Sequence, residues 1–478
     1  MATSFEDPLL AHVSGFRTAE DNLDYAIDPA DIHGTIPADL SGIFLRAGPA
    51  RNELAGKPFG HWFDGDGGVS TFRIENGQVH FRSSFVKTPK YVDETAAQEV
   101  RYRSFGHNAP GGFFKNLHMP ANAANTSIVY HGGKLLTLFE GGLPWEVDLD
   151  TLATIGPENF GGQLKGMDTF SAHGKLHPRT GDYFNFGMGG GLTGPRISLY
   201  QIDPQGRMAR RSTVRVDSMA FCHDNAMTDK YLVFMVMPVT FDNILNVVLA
   251  RDTIDRNMSF KAEQGMKVYV VSLEDFSLVN TFEVEPFMYA HSSNCWEQGD
   301  ELFIDVVCMN EQQGESGTHF SRNLFTASGP STGKLKRYRF NVNTGASSCE
   351  DLPCALPCEF PQWDWRLTGS RSRYIYTVGI CQNETPGFYN SLQRIDHELG
   401  DTKVYDPGAG RYPSEPIFVP RSPDSDEADG YILTVIYDAG TEKSELMILD
   451  AESMADEIAS VKLNHHIPHG FHCGFTPL

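Results

Sequence analysis

The sequence predicts an all-β chain arranged as a propeller of several four-stranded blades, and three observations carry that prediction. Short apolar and β-branched runs, separated by turn residues, recur from end to end. Almost no stretch sustains a helical period. The strand rhythm also persists through most of 478 residues, more than one sandwich holds, whereas radially repeated β folds run long as one unit. A single domain over 1–478 is expected on that ground.

The elements follow in chain order. Phe72 to Phe81 reads FRIENGQVHF, two alternating strands around Asn76-Gly77, the strongest short hairpin signal. The same grammar returns in SIVYHGGKLLTLFEGG at Gly132-Gly133, in GKLHPRTGDYFNFG at PRTGD, in ISLYQIDPQGRMARRSTVRV at DPQG and in RYRFNVNTGA at NTG. Each reads as a hairpin or meander. No strict repeat is present, so the residues alone do not count the blades. The stretch 238–266, PVTFDNILNVVLARDTIDRNMSFKAEQGM, breaks the rhythm with a short helix carrying Ile244, Leu245, Val247, Val248 and Leu249. It reads as an apolar insertion, a lid over one face.

Composition removes several classes of function. Lys plus Arg number 39 against 61 Asp plus Glu, a formal charge of −22, which repels a phosphate backbone, so nucleic acid is not expected as a partner. MATSFEDPLL has no basic region leading into an apolar run, so no secretory signal is expected there. The longest apolar stretch, Tyr231 to Phe241, is about half of the ~20 residues that a spanning helix needs and is interrupted by Pro238. A cytoplasmic chain is expected, at most peripheral to a membrane. The eight cysteines include no C-x-x-C pair, and Cys349, Cys354 and Cys358 fit no zinc spacing, so reduced packing or surface thiols are expected.

Two motifs are decoys. Gly189, Gly191 and Gly194 stand in G-x-G-x-x-G order, but Pro195 and the strand-like RISLYQI follow where a dinucleotide site needs a helix. Asp64, Asp66 and Glu75 occupy positions 1, 3 and 12 of a calcium loop, but Val69 stands where that loop requires glycine and the second half reads as a strand.

Histidine is the remaining signal. The tail NHHIPHGFHCGFTPL holds His465, His466, His469 and His472, and three internal histidines have well-framed settings: His173 in DTFSAHGKLHP, His223 in MAFCHDNAM and His291 in PFMYAHSSNCWE. Each internal one is read as following an apolar strand and preceding a turn. Taken singly, any of them is a hydrogen-bonded structural histidine; as a set they suggest a metal site.

Several separated blocks resemble the carotenoid cleavage oxygenase family: GIFLRAGPARN, HWFDGDGGV, ANTSIVYHGGKLLTLFEGGLPWEVDLDTLAT, FSAHGKLHPRTGD, FCHDNAMT, EFPQ, SEPIFVPRSP and PHGFHCGF, in the family's order and across nearly the whole chain. The resemblance implies a seven-bladed β-propeller with a lid of loops and short helices, and one Fe(II) held by His173, His223, His291 and His472. It implies outer partners Glu140, Glu359 and Glu415 for three of the four histidines, with His173 the exception, and it makes Thr126 the residue whose methyl crowds the vacant coordination site. Neutral imidazoles leave the metal its full charge and open positions for dioxygen. The family usually has proline after the first ligand; here Gly174 stands there, and His177 is a competing candidate ligand.

The implied reaction is scission of a conjugated C=C bond by O2 to give two carbonyl products. Relatives that cut stilbenes or phenylpropenes grip a phenol with a lysine before the first outer glutamate and a tyrosine upstream; here Phe139 precedes Glu140, and His107 falls near the upstream site. An apolar polyene, apocarotenoid or carotenoid, is therefore expected, with a stilbene-like substrate as the alternative, reachable if Lys87 or Lys90 enters the pocket. A non-cleaving isomerase, a metal-free binding propeller and a zinc hydrolase are the other readings. The resemblance also makes 238–250 a membrane-facing patch, against the simpler reading of a buried lid helix.

Overall fold

The computed structural model describes residues 8–117, 119–190, 194–217, 221–309, 332–381 and 388–478. Nearly every element is an antiparallel strand, and the turn residues set where the strands reverse. Asn76 and Gly77 both have positive φ, 52° and 74°, the left-handed pair that a two-residue hairpin of primed type requires. They join Asp66–Glu75 to Gln78–Phe85, with Glu75 opposite Gln78. Gly132 and Gly133 do the same between Ser127–His131 and Lys134–Leu138. The PRTGD, DPQG and NTG segments each separate paired strands as expected.

Successive sheets follow the chain. A five-stranded sheet takes Leu23–Ala26, Gln78–Phe85, Asp66–Glu75, Gly42–Arg51 and Cys473–Pro477 in that spatial order. Three four-stranded sheets follow, spanning Ser127–Pro157, Lys175–Arg215 and Asn225–Val284. Eight strands between Ser292 and Tyr405 form the next sheet, and the last centres on Gly430–Asp438 and Lys443–Asp450. Apolar residues pack between neighbouring sheets: Phe186, Leu199 and Val214 of one meet Leu232, Phe234 and Val271 of the next. The first and last parts of the chain close the series, with Gly42–Arg46 paired to Cys473–Pro477 from Gly42 opposite Pro477 to Arg46 opposite Cys473.

The segment 238–266 leaves the sheet between two strands that are hydrogen-bonded neighbours, Tyr231–Val236 and Met266–Ser272. It holds a two-stranded ribbon, Val239–Phe241 with Met258–Phe260, and one short helix, Ile244–Val248, capped by the Asn243 side chain. Arg103 ties it down by donating to the carbonyls of Asn116 and Val247, at 2.9 and 2.8 Å. Of the glycine-rich decoy, Gly191 and its two followers lie outside the described residues, while Gly189 ends one strand and Gly194 precedes the next. The calcium-loop decoy is a strand from Asp66 to Glu75. Among the described residues, no helix is long and apolar enough to cross a membrane.

Candidate metal centre

The four framed histidines come from four separate sheets and meet. The His173 ring lies 4.3, 5.0 and 4.8 Å from the rings of His223, His291 and His472, centroid to centroid. His291 is 5.3 Å from His223 and 4.8 Å from His472. Donor atoms of His173, His291 and His472 lie within 4.8 Å of one another. Their local setting differs from the expectation of a preceding apolar strand and a following turn. Each stands just before the first strand of its segment, Lys175–Leu176, Asn225–Met227, Ser292–Gln298 or Cys473–Pro477. The apolar residues ahead of the internal three make single bridges only: Phe170 with Phe139, Phe221 with Met237, Met288 with Met309. One bridge does not continue a ladder, so the chain is free to turn its imidazole inward.

Three carboxylates meet the histidines. Glu359 accepts from His291 Nδ1 at 2.5 Å, Glu415 accepts from His472 Nδ1 at 3.0 Å, and Glu140 contacts His223 Nδ1. A proton held on Nδ1 leaves Nε2 as the lone-pair donor and fixes the ring. Among the described residues, no carboxylate is hydrogen-bonded to the His173 ring. Nε2 of His173 and Nε2 of His291 are buried without a hydrogen-bond partner, the condition in which an imidazole awaits a metal. Burial and the three facing imidazoles push His173 well below the ordinary histidine pKa. Burial also lowers His472. Burial acts the same way on His291, but the Glu359 carboxylate outweighs it and that pKa is raised. The donor set, neutral nitrogen with oxygen partners behind it, fits a divalent metal of the first transition row.

The carboxylates are themselves held. Glu415 Oε1 also accepts from Gln362 Nε2 at 2.7 Å, and its Oε2 accepts from the Cys473 backbone at 2.6 Å, which ties the EFPQ segment to the residue after His472. Glu359 sits in the strand Cys358–Gln362, whose register shifts before Gln362. Phe360 there has φ 51°, a strained value for a bulky residue, and its ring packs on His291 and His472 at 5.0 and 5.3 Å. Thr126 precedes the strand Ser127–His131, and its hydroxyl donates to Asn125 Oδ1 at 3.1 Å. Asn125 in turn donates to the carbonyls of Phe63 and Gly65.

Sequence reasoning missed Asp224. This buried carboxylate accepts from Lys175 Nζ at 2.6 Å, from the Asn225 backbone at 2.7 Å and from Ser292 through backbone and hydroxyl at 2.8 and 2.7 Å. It therefore ties together the segments that follow His173, His223 and His291. Its partners lie 49 and 68 residues away, and nothing local in HDN announces them; the one available signal was an acid directly after a framed histidine.

His177 is not in the cluster. Its Nδ1 accepts from the Arg179 and Thr180 backbones within a turn, and its Nε2 faces Asp229. Gly174 has a physical reason: a Cβ there would stand 2.2 Å from the Tyr183 ring, and its N–H serves the Tyr183 hydroxyl beside Asn185 Nδ2, a bond that proline would remove. The remaining tail histidines are packed elsewhere, His465 on Tyr25 and Phe81, His466 against the Arg17 carbonyl and His469 among Phe16, Phe388 and Tyr437. His107 is held between Asp64, at 3.0 Å, and Ser104. Lys90 is buried against Asp66 and Glu94, and Lys87 is exposed beside Thr154, where its backbone N–H donates.

A nearly all-β fold with an imidazole cluster backed by carboxylates defines a candidate metalloenzyme. The family model described as retinal pigment epithelial membrane protein matches residues 16–477. The apocarotenoid-15,15'-oxygenase of Synechocystis sp. is 33% identical over 96% of this chain and 94% of that one. Isoeugenol monooxygenase of Pseudomonas putida is 30% identical over 92% and 93%. The crystal structure of cobalt-substituted Synechocystis apocarotenoid oxygenase superposes with a TM-score of 0.89 at 30% identity, covering 98% and 99% of the two chains. The chain belongs to the carotenoid cleavage oxygenase family, and it is an oxygenase.

Proposed function

We propose that this enzyme is a non-haem Fe(II) oxygenase that cleaves a conjugated C=C bond of an apocarotenoid or carotenoid with O2 to give two carbonyl products. The observation that carries this reading is the cluster of four imidazoles, with His173 against the other three, three of the four meeting a carboxylate through Nδ1. His173, His223, His291 and His472 would hold one Fe(II) per chain, which supplies the dioxygen chemistry when bound. The protein's tasks are to orient and to exclude water. Glu140, Glu359 and Glu415 keep protons on Nδ1 and the rings in place. Phe221, stacked on His223, and Phe360 make the surroundings apolar, as a polyene requires. Thr126, with its hydroxyl bound to Asn125, would present its methyl to the open coordination side.

The substrate choice rests on the missing phenol grip. Phe139 offers no charge, Lys90 is committed to Asp66 and Glu94, and His107 to Asp64 and Ser104. The isoeugenol-cleaving relative favours a second reading, a stilbene or phenylpropene substrate at the same centre. Iron content and oxygen uptake, measured on anaerobically purified protein given an apocarotenal, resveratrol or isoeugenol, decide. Iron near one per chain with aldehydes from the apocarotenal alone is expected. Product from the phenols alone transfers the function to the second reading, and absence of iron defeats both.

We read the eight-stranded sheet as two blades whose described strands pair at the single position where Gly333 faces Cys358, which with the other large sheets makes seven. The whole of 1–478 is then one propeller domain, 238–266 its lid and 238–250 a peripheral membrane contact. Half or more of Ile244 and Leu245 is exposed, at 50% and 63%, and Phe114 near the other end of the Arg103 tether is 79% exposed, an apolar face suited to a lipid surface.

A further inference from the structure

The chain carries eight cysteines, and two of them touch. Cys354 Sγ and Cys358 Sγ lie 3.6 Å apart, in hydrogen-bond contact, on a turn with Pro357 between them. The turn is held by Gln393, whose Nε2 donates to the Leu356 carbonyl at 3.1 Å and to Cys354 Sγ at 3.5 Å, while the Leu356 N–H donates to Gln393 Oε1. Cys358 is fully buried and opens the strand that carries Glu359; its backbone faces Gly333 on one side and Gly379 on the other. Cys354 is only half-buried, the more accessible of the two.

We propose that Cys354 and Cys358 are a disulfide-forming modification site, oxidised by a hydroperoxide, whose closure disturbs Glu359 and thereby the His291 position of the metal centre. A disulfide needs the sulfurs at about 2.05 Å, so closure draws them together by roughly 1.5 Å. Cys354 must give up its hydrogen bond to the Leu356 carbonyl, 2.8 Å long, and the fixed β-bridges of Cys358 pass the remaining movement to its neighbour Glu359. The roles of the two sulfurs differ. The hydrogen bond with Cys358 holds Cys354 below the usual thiol range although burial opposes it, whereas the same contact and full burial raise Cys358. Cys354 is thus the attacking thiolate. It takes one oxygen of the hydroperoxide to become a sulfenic acid, and the other oxygen leaves as water or alcohol after protonation. The Cys358 thiol then attacks that sulfur, the S–S bond forms and a second water leaves; two thiols lose two electrons and the peroxide gains them.

The bond is independent of the proposed reaction, and its effect on the metal rests on that reading. The test treats the full-length protein with hydrogen peroxide, alkylates what remains free, and maps disulfides by peptide mass. Co(II) is then titrated into oxidised, untreated and thiol-reduced samples and followed by its visible absorption. A Cys354–Cys358 linkage, with Co(II) binding weakened about 10-fold and restored by reduction, is expected. Cys354→Ser should bind Co(II) as the untreated protein does and lose the sensitivity to peroxide. Absence of the linkage while exposed Cys349 is oxidised overturns the site. A linkage that leaves Co(II) binding unchanged overturns its effect on the centre, as does a Cys354→Ser protein that remains sensitive.

Discussion

Glu359 acts through one oxygen on His291 and through its place in a kinked strand on the packing of Phe360 over two imidazoles. Glu359→Gln keeps the shape and removes the charge behind Nδ1, so Co(II) or Fe(II) affinity should fall by about 10- to 100-fold with little change in unfolding midpoint. A metal titration beside a thermal melt checks this, and unchanged affinity would remove Glu359 from the centre. Asp224 makes the opposite kind of prediction. Asp224→Asn leaves the Lys175 ammonium without its counter-charge in a largely buried setting, at a cost of about 3–5 kcal/mol, and Lys175→Met in the same chain should recover part of it. Urea unfolding of the single and double variants tests the pairing. His397 gives a pH dependence. Burial, with Arg337 and Arg371 nearby, lowers its pKa from 6.5 to about 4. The unfolded chain therefore takes up the proton first, and the contribution present above pH 6.5 is lost as pH falls from 6.5 toward 4. His397→Gln should show a shallower loss of stability over that window; equal slopes would dismiss this histidine. The four clustered histidines were legible because each sits in its own framed motif, whereas Asp224 and the strained Phe360 depend on partners or backbone angles that no short window contains.

At the level of elements, the turns were the most legible feature, because a turn is set by two to four adjacent residues. Asn76-Gly77 and Gly132-Gly133 specify left-handed backbone on the spot, and the strands on either side follow. Where the first strand after each clustered histidine begins was less legible: Phe170, Phe221 and Met288 look like strand residues, yet each finds one bridge partner only among the described residues. The helix Ile244–Val248 was visible as a run of apolar residues, but its exposure was not, since that depends on what the fold leaves uncovered. Leu245→Glu adds a charge on its most exposed apolar position and should reduce co-sedimentation with phospholipid vesicles several-fold while leaving cleavage of a detergent-dissolved substrate intact. Equal vesicle binding by both proteins would return the helix to the role of a simple lid.

For the whole molecule, the decisive feature is the pairing of Gly42–Arg46 with Cys473–Pro477. A strand added from the far end of the chain gives the first sheet its last edge and places His472 at the cluster. Deleting 474–478 leaves His472 and Cys473 in place but removes four of the five paired positions, so the melting midpoint should drop by several degrees and metal binding should weaken with it. An unchanged midpoint would show that the sheets hold together without this seam. The series of sheets was legible as a rhythm in the residues; the closure was not, because its partners are separated by almost the full sequence.

That seam also fixes an order of events during synthesis. His173, His223 and His291 leave the ribosome long before His472, and the edge that seats the last imidazole is made of residues translated after it. The first sheet must wait with one side unpaired while the intervening sheets form. The site as proposed is therefore completed last, once the residues that seat His472 have been made.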